Sequence, residues 1–146
     1  MAIFRFRLQS YLKVKEKLED TKKQEYGLAL TALERERHRL SALFEARERC
    51  VLDLKAARLD RVDVAAVRAN DIYLKALKLR IQRQKAELEK AEERAESKRL
   101  ELVEATKEHQ KLQKLKENDY ENYLHGEKLA EQKSVDELIS YKYGKR

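Results

Sequence analysis

The chain has 146 residues, of which 42% are charged, with 34 Lys and Arg against 27 Asp and Glu, no Pro and only three Gly. Turn-rich α/β and all-β domains draw on Gly and Pro, whereas Ala, Leu, Glu, Lys and Arg are strong helix formers, so this composition excludes a sheet-based domain. Because so many residues are charged, the apolar ones cannot fill a thick globular core and are expected to form a narrow stripe shared by long helices.

The first predicted helix covers about residues 3–58. Its apolar residues recur in alternating steps of three and four, the heptad pattern of a coiled coil, with charged interruptions at Glu36 and Arg47. The first predicted seam consists of Tyr26, Ala29, Leu33, Glu36, Leu40, Leu43, Arg47, Cys50, Leu54 and Ala57. Cys50 has no second cysteine to pair with, so its place in the seam predicts a packed thiol.

A turn is predicted at about residues 59–63, because the heptad phase is lost in "ARLDRVDVAAVRAND". Asp60 and Asp63 can cap the N-terminus of a following helix, and Arg58 and Arg61 suit the C-terminus of a preceding one. An alternative stays open, in which one continuous helix runs through this region and two chains dimerise in parallel.

The second predicted helix covers about residues 64–141 and carries the longer seam. The second predicted seam consists of Leu74, Leu77, Ile81, Gln84, Leu88, Ala91, Ala95, Lys98, Leu102, Ala105, His109 and Leu112. At 1.5 Å per residue the two helices would be roughly 80 and 115 Å long, so the end of the second should extend past the N-terminus. Residues 117–146 are therefore expected to lack a partner within the chain for most of their length.

Nothing in the sequence predicts catalysis, a metal site or a cofactor. A two-helix coiled coil offers no pocket that could hold reacting groups in fixed geometry, and His38, His109 and His125 lie far apart in the sequence. The longest apolar run, "VAAV", is far shorter than the roughly 20 residues that span a bilayer, and no signal-peptide core is present. These patterns favour a cytoplasmic, non-enzymatic protein that acts by binding.

The stretch "KALKLRIQRQK", residues 75–85, carries five positive charges and no negative one. It is interpreted as a solvated helix face, neutralised in part by Glu34, Glu36, Glu45 and Glu48 of the first helix, or as a docking site for an acidic protein surface. The net charge of +7 also raises the possibility of nucleic-acid binding, but residues 91–120 carry eight acidic groups, which would repel a phosphate backbone. A nucleic-acid-binding or structural scaffold protein is kept as the alternative function.

Both ends of the chain go beyond a generic coiled coil. The opening "FRFRLQSYLKVKEKLEDTKKQEY" and the closing "EQKSVDELISYKYGKR", with "VDEL" at residues 135–138, resemble the FliJ family of bacterial flagellar export proteins. The resemblance implies an all-α antiparallel two-helix coiled coil, similar to the stalk subunit of rotary ATPases. It also implies three partners, namely the hexameric export ATPase, the cytoplasmic domain of the export-gate membrane protein, and export chaperones. We expect a monomer at the cytoplasmic face of the membrane, without insertion.

The resemblance further implies two protein-binding sites. The gate-facing site would consist of Leu43, Ala46, Cys50, Tyr73, Leu77, Arg80 and Gln84. The ATPase-facing site would take in both termini and the overhang, with Phe4, Phe6, Leu8, Tyr123, Leu129, Val135, Leu138 and Ile139. No cofactor, metal or nucleic acid is expected at either site.

Overall fold

The computed structural model describes residues 3–59 and 63–144. Nearly all of these residues lie in two α-helices: α1, Gln9–Leu59, has 51 residues, and α2, Val64–Gly144, has 81 residues. The described part of the chain contains no strand. The two helices run in opposite directions and pack against each other, which confirms the predicted all-α two-helix coiled coil.

The start of α1 and the end of α2 both differ from the positions that the sequence predicted. α1 begins at Gln9 and not near Ile3, because residues 4–6 turn their aromatic side chains onto α2 instead of continuing the helix. α2 continues to Gly144, past the expected end at Tyr141, because no helix-breaking Gly or Pro occurs between Gly126 and Gly144. Of the predicted turn, residues 60–62, which include Asp60 and Arg61, lie outside the described residues.

Asp63 caps the N-terminus of α2. Its Oδ1 accepts hydrogen bonds from the backbone N–H groups of Ala65, at 3.1 Å, and Ala66, at 3.4 Å. These bonds satisfy donors that the first turn of a helix leaves without an intrahelical partner, as the sequence predicted for this Asp. Replacement of such a cap by Ala typically costs about 1 kcal/mol of helix stability.

The chain divides into two compact units, and each contains a part of both helices. We call Lys22–Leu102 the turn unit. We call Met1–Thr21 together with Val103–Arg146 the terminal unit.

The core of the turn unit is a single layer of side chains between the two helices. Its buried cluster consists of Ala29, Leu33 and Ala95, with Leu88 and Ala91 packed against it. Further along, Leu77 is only 1% exposed, and Ile81 is also buried. Every member of the two predicted seams is buried or half-buried in its unit, which confirms the heptad pattern.

Polar side chains also occupy this layer of the turn unit. Gln84 Nε2 donates to the backbone oxygen of Glu36 at 3.1 Å and to its carboxylate. Farther from the turn, two lysines and two glutamates form a network of four ion pairs. Two pairs join the helices, Lys22–Glu101 at 3.2 Å and Lys98–Glu25 at 3.4 Å. The other two lie within one helix each, Lys22–Glu25 at 3.3 Å on α1 and Lys98–Glu101 at 3.3 Å on α2. Each cation therefore lies between two carboxylates.

These ion pairs shift the acid–base equilibria of their carboxylates. The hydrogen bond from Lys22, followed by that from Lys98, lowers the pKa of Glu101. The hydrogen bond from Lys22 likewise lowers the pKa of Glu25. Both carboxylates therefore hold their negative charge more strongly than an isolated Glu does.

The terminal unit combines a few apolar contacts with polar pairs. Leu12 and Ala105 are buried. Lys15 Nζ on α1 lies 2.6 Å from the Glu108 carboxylate on α2. His109 Nδ1 on α2 lies 2.7 Å from Oε2 of Glu19, a buried carboxylate on α1. Charged and hydrogen-bonding side chains therefore join the two helices of this unit alongside its apolar contacts.

Aromatic side chains connect the segment before α1 to α2. The ring of Phe4 lies 5.2 Å from that of Tyr120, edge to face, and 5.4 Å from that of Tyr123. Burial, with Glu127 adding to it, raises the pKa of Tyr123. Tyr120 and Tyr123 therefore have a partner within the chain, which was not expected for the start of the overhang. From Leu124 to Gly144 every residue is exposed.

Candidate protein-binding sites

The predicted gate-facing residues lie in the turn unit, but two of them are inside the seam. Leu77 is 1% exposed and Cys50 is 3% exposed, and the Cys50 Sγ lies 3.4 Å from the backbone oxygen of Asn70. The prediction of a packed thiol is confirmed. These two side chains hold the helices together, so a partner protein cannot reach them without separating the helices.

Six of the seven predicted gate-facing residues line two open grooves in the turn unit. The larger groove has a volume of about 470 Å³ and is lined by Arg39, Ala42, Leu43, Arg80, Arg83, Gln84 and Glu87. The smaller has a volume of about 190 Å³ and is lined by Ala46, Arg49, Cys50, Asp53, Asn70 and Tyr73.

Both grooves open on the same side of the helix pair in the turn unit. On α2 the lining residues Tyr73, Arg80 and Glu87 repeat every seven positions, and Arg39, Ala46 and Asp53 do so on α1. Residues seven apart on a helix share a face. We call this surface the groove side.

The larger groove has an apolar floor and a cationic rim. Ala42 and Leu43 supply apolar surface. Arg80 and Arg83 form no ion pair with any described residue, whereas Glu87 pairs with Lys90 at 3.5 Å. The rim therefore has positive charge that a carboxylate of a partner could neutralise.

The basic run 75–85 is not neutralised from α1 in the way that the sequence suggested. Glu34 and Glu36 pair with Arg37 and Arg39, which lie on α1 itself. Across the described residues, neither Glu45 nor Glu48 forms an ion pair with the run. Glu34 and Glu36 do lie on α1, as the sequence pattern suggested, but arginines one turn away on the same helix pair with them instead.

Two lysines of the run have partners that the sequence analysis did not identify. Lys75 pairs with Asp71, one turn earlier on α2, at 3.3 Å. Lys85 Nζ lies 5.8 Å from the ring centroid of Phe44, and the Arg47 guanidinium lies 5.0 Å from it. Phe44 stands next to a seam position, and only the pairing of the two helices brings it close to Lys85.

The predicted ATPase-facing residues divide into a packed group and an exposed group, both in the terminal unit. Phe6 is 7% exposed, and Phe4, Leu8 and Tyr123 are half-buried. The packed group therefore serves mainly to fasten residues 4–8 to the helix pair.

The exposed group is Leu129, Val135, Leu138 and Ile139, all about half exposed or more. At 100° per residue, Val135, Leu138 and Ile139 share one face with Leu124, which lies three turns earlier, whereas Leu129 points to another side. We call the surface of Leu124, Val135, Leu138 and Ile139 the distal face. It is apolar, and each of its side chains is about half exposed or more.

Metal sites and membrane spans are the two other kinds of feature considered for the described residues. The described residues contain no group of three or more His, Cys, Asp and Glu side chains arranged to hold a metal ion. Within the same residues no helix has an apolar stretch long enough to cross a bilayer.

Comparison with known proteins gives one family and one fold. Residues 4–146 match the model of the family described as Flagellar FliJ protein. No curated protein matches the chain. Among solved structures the chain is similar to a putative YscO homolog, CT670, from Chlamydia trachomatis, with a TM-score of 0.59, 20% sequence identity and coverage of 97% of this chain and 96% of that chain. At this level of identity the likeness is one of fold.

Proposed function

Because the chain belongs to the FliJ family, it is a non-enzymatic, cytoplasmic component of the flagellar type III protein export apparatus, and we propose that it acts there as a stalk. In this role it joins the hexameric export ATPase to the cytoplasmic domain of the export-gate membrane protein, and it escorts export chaperones. It works at the cytoplasmic face of the membrane without inserting into it.

The observation that carries this proposal is the exposed distal face near the end of α2. Residues 124–144 form six turns of single helix, and their large apolar side chains Val135, Leu138 and Ile139 share one exposed face. A single amphipathic helix of this kind binds by laying its apolar face in a groove of a partner. We assign the distal face to the ATPase ring.

The groove side is the surface that we assign to the gate. Tyr73 is 46% exposed and stands over the smaller groove, and Arg80 is an unpaired cation on the rim of the larger one. Aromatic and Arg side chains at the centre of a contact supply most of the binding free energy in many interfaces. Leu77 and Cys50 support this surface from inside the seam and do not contact the partner.

The ATPase assignment is tested by changing the distal face. Val135→Ser with Leu138→Ser, or deletion of residues 128–146, should reduce stimulation of the export ATPase and leave binding to the gate domain unchanged. Lys133→Ser, on the polar side of the same helix, is the matched control. If the truncated chain stimulates the ATPase as strongly as the full chain, the assignment is wrong.

The gate assignment is tested by changing the groove side. Tyr73→Ala with Arg80→Glu should weaken binding to the gate's cytoplasmic domain by about tenfold or more, measured by calorimetry. Lys114→Glu, an equal change of charge in the terminal unit, should leave the affinity at the wild-type value. Equal affinities for all three proteins would exclude the groove side as the gate site.

A further inference from the structure

The outward face of α2 in the turn unit carries a second heptad pattern, separate from the seam. Alternating steps of four and three connect Ala65, Ala69, Ile72, Ala76, Leu79, Arg83 and Ala86. Ile72 is 63% exposed and Leu79 is 56% exposed, although both are large apolar side chains on a well-formed helix. We call these seven positions the outer stripe.

The outer stripe is confined to one part of one helix. Its next two positions are Lys90 and Glu93, so the apolar pattern ends at Ala86, after about 30 Å of helix. The matching outward positions of α1 are Ala42, Glu45, Arg49, Leu52, Ala56 and Leu59, where the adjacent charges Glu45 and Arg49 interrupt the apolar pattern. An exposed apolar heptad is therefore not a general property of this helix pair.

Positive charges flank the outer stripe. Arg68 and Lys75 follow one edge, Arg80 lies on the other, and Lys78 is farther round the helix. Lys75 is paired with Asp71, but Arg68, Lys78, Arg80 and Arg83 form no ion pair with the residues that the structure describes. The stripe thus combines uncovered apolar side chains with cations that lack a counter-charge.

We propose that the outer stripe binds an amphipathic helix of another protein, whose apolar heptad positions are flanked by Asp and Glu. Such a helix would cover Ile72 and Leu79 in coiled-coil fashion, and its carboxylates would meet the free cations at the edges. The alanines leave room for larger side chains of the partner. This surface shares Arg80 and Arg83 with the rim of the larger groove, but Ile72 and Leu79 line neither groove, so the proposal can be tested separately from the gate and ATPase assignments.

Other occupants fit this surface less well. A second copy of the chain would bring one basic edge against another, and like charges across a coiled coil oppose pairing. A nucleic acid would meet two exposed apolar side chains between the cations. A membrane surface requires a broad face of large apolar residues, whereas five of the seven positions here are Ala or Arg.

The test uses the full chain and two labelled synthetic peptides of four heptads. Both peptides have Ile and Leu at the core positions, and the flanking positions carry Glu in one and Lys in the other. Fluorescence anisotropy should detect binding of the Glu peptide, weakening as salt increases, and little binding of the Lys peptide.

Substitutions then locate the binding site. Ile72→Ser with Leu79→Ser should weaken binding of the Glu peptide by about tenfold or more. The same change at Leu52 and Leu100, which are similarly exposed on other outward positions, should leave it unchanged. Tyr73→Ala should also bind the Glu peptide normally, which separates this surface from the gate site. Circular dichroism checks helix content, and the milder Ile72→Ala with Leu79→Ala replaces the Ser pair if that variant unfolds.

Three results would overturn the proposal. The first is equal binding of the Lys and Glu peptides, which would mean unspecific apolar adhesion. The second is unchanged binding of the Glu peptide by the folded Ile72 and Leu79 variant. The third is binding to phosphatidylglycerol vesicles or to a single-stranded oligonucleotide that the same variant loses, while the Glu peptide does not bind.

Discussion

Two residues that the sequence analysis assigned to the same gate-facing site, Tyr73 and Leu77, differ in their burial. Leu77 and Tyr73 are one turn apart on α2, yet Leu77 is buried in the seam and Tyr73 stands at the edge of a groove. We therefore expect a change at the first to act on folding and a change at the second to act on the proposed binding to the gate.

This separation predicts different outcomes for two alanine variants. Leu77→Ala should lower the free energy of unfolding by about 2–4 kcal/mol, because it removes a fully buried side chain from a thin layer. Tyr73→Ala should lower it by less than about 1 kcal/mol. Urea unfolding followed by circular dichroism measures both. Similar losses in the two variants would contradict the assignment of Tyr73 to the surface.

The charges between the helices predict a pH effect. Hydrogen bonds from Lys22 and then from Lys98 lower the pKa of Glu101 below its ordinary value of 4.5. A carboxylate with a lowered pKa in the folded state adds stability above its unfolded pKa, and that stability is lost as the pH falls through the folded value.

Glu101→Gln should therefore lower the Tm above pH 4.5, and the difference from the wild type should shrink as the pH falls below that value. Glu93→Gln removes a carboxylate that has no ion pair in the described part of the chain, and it should leave the Tm nearly unchanged at every pH. A Glu101→Gln effect that persists at pH values below the folded pKa would have another cause.

At the scale of elements, the segment before α1 is a part of the fold of the terminal unit. Phe4 contacts two tyrosines of α2, and Phe6 is buried although it precedes the helix. Phe4→Ala should speed amide hydrogen exchange in residues 9–21 and 103–123, since aromatic pairs contribute about 0.5–1.5 kcal/mol beyond their buried area.

The control for this variant is Tyr143→Ala, which changes a largely exposed ring at the far end of the same helix. It should not alter exchange in either range. Unchanged exchange in the Phe4→Ala protein would indicate that the aromatic contacts do not stabilise the unit.

At the scale of the whole molecule, the sequence left open whether the coiled coil is formed by two helices of one chain or by one helix from each of two chains. The contact between Gln84 and Glu36 joins antiparallel helices of one chain, whereas the alternative required parallel helices of two chains. With Cys50 replaced by Ser, oxidation of a Glu36→Cys, Gln84→Cys variant should give a crosslinked monomer, and light scattering should give the mass of one chain. Disulfide-linked dimers would contradict the predicted monomer.

Sequence periodicity was sufficient to predict the fold, but it predicted the binding surfaces only in part. Apolar residues at heptad spacing located the seam, since burial follows period and residue type. Lys15, Glu19 and Lys22 continue the spacing of the seam, but their charge concealed this, because their partners on α2 lie 79 to 93 residues away. The period placed Leu77 in the seam, where it is buried, and only the family resemblance placed it in the gate-facing site as well.

The crossed charges of the turn unit also have a mechanical consequence. If α2 slid by one heptad against α1, Glu101 would lose Lys22 and come to lie beside Ala29, in the apolar cluster, and only Lys98 of its own helix would stay with it. Buried polar residues set the register of coiled coils in this way. The turn unit should therefore resist shear along its axis, so that a pull applied lengthwise to one helix moves the other with it.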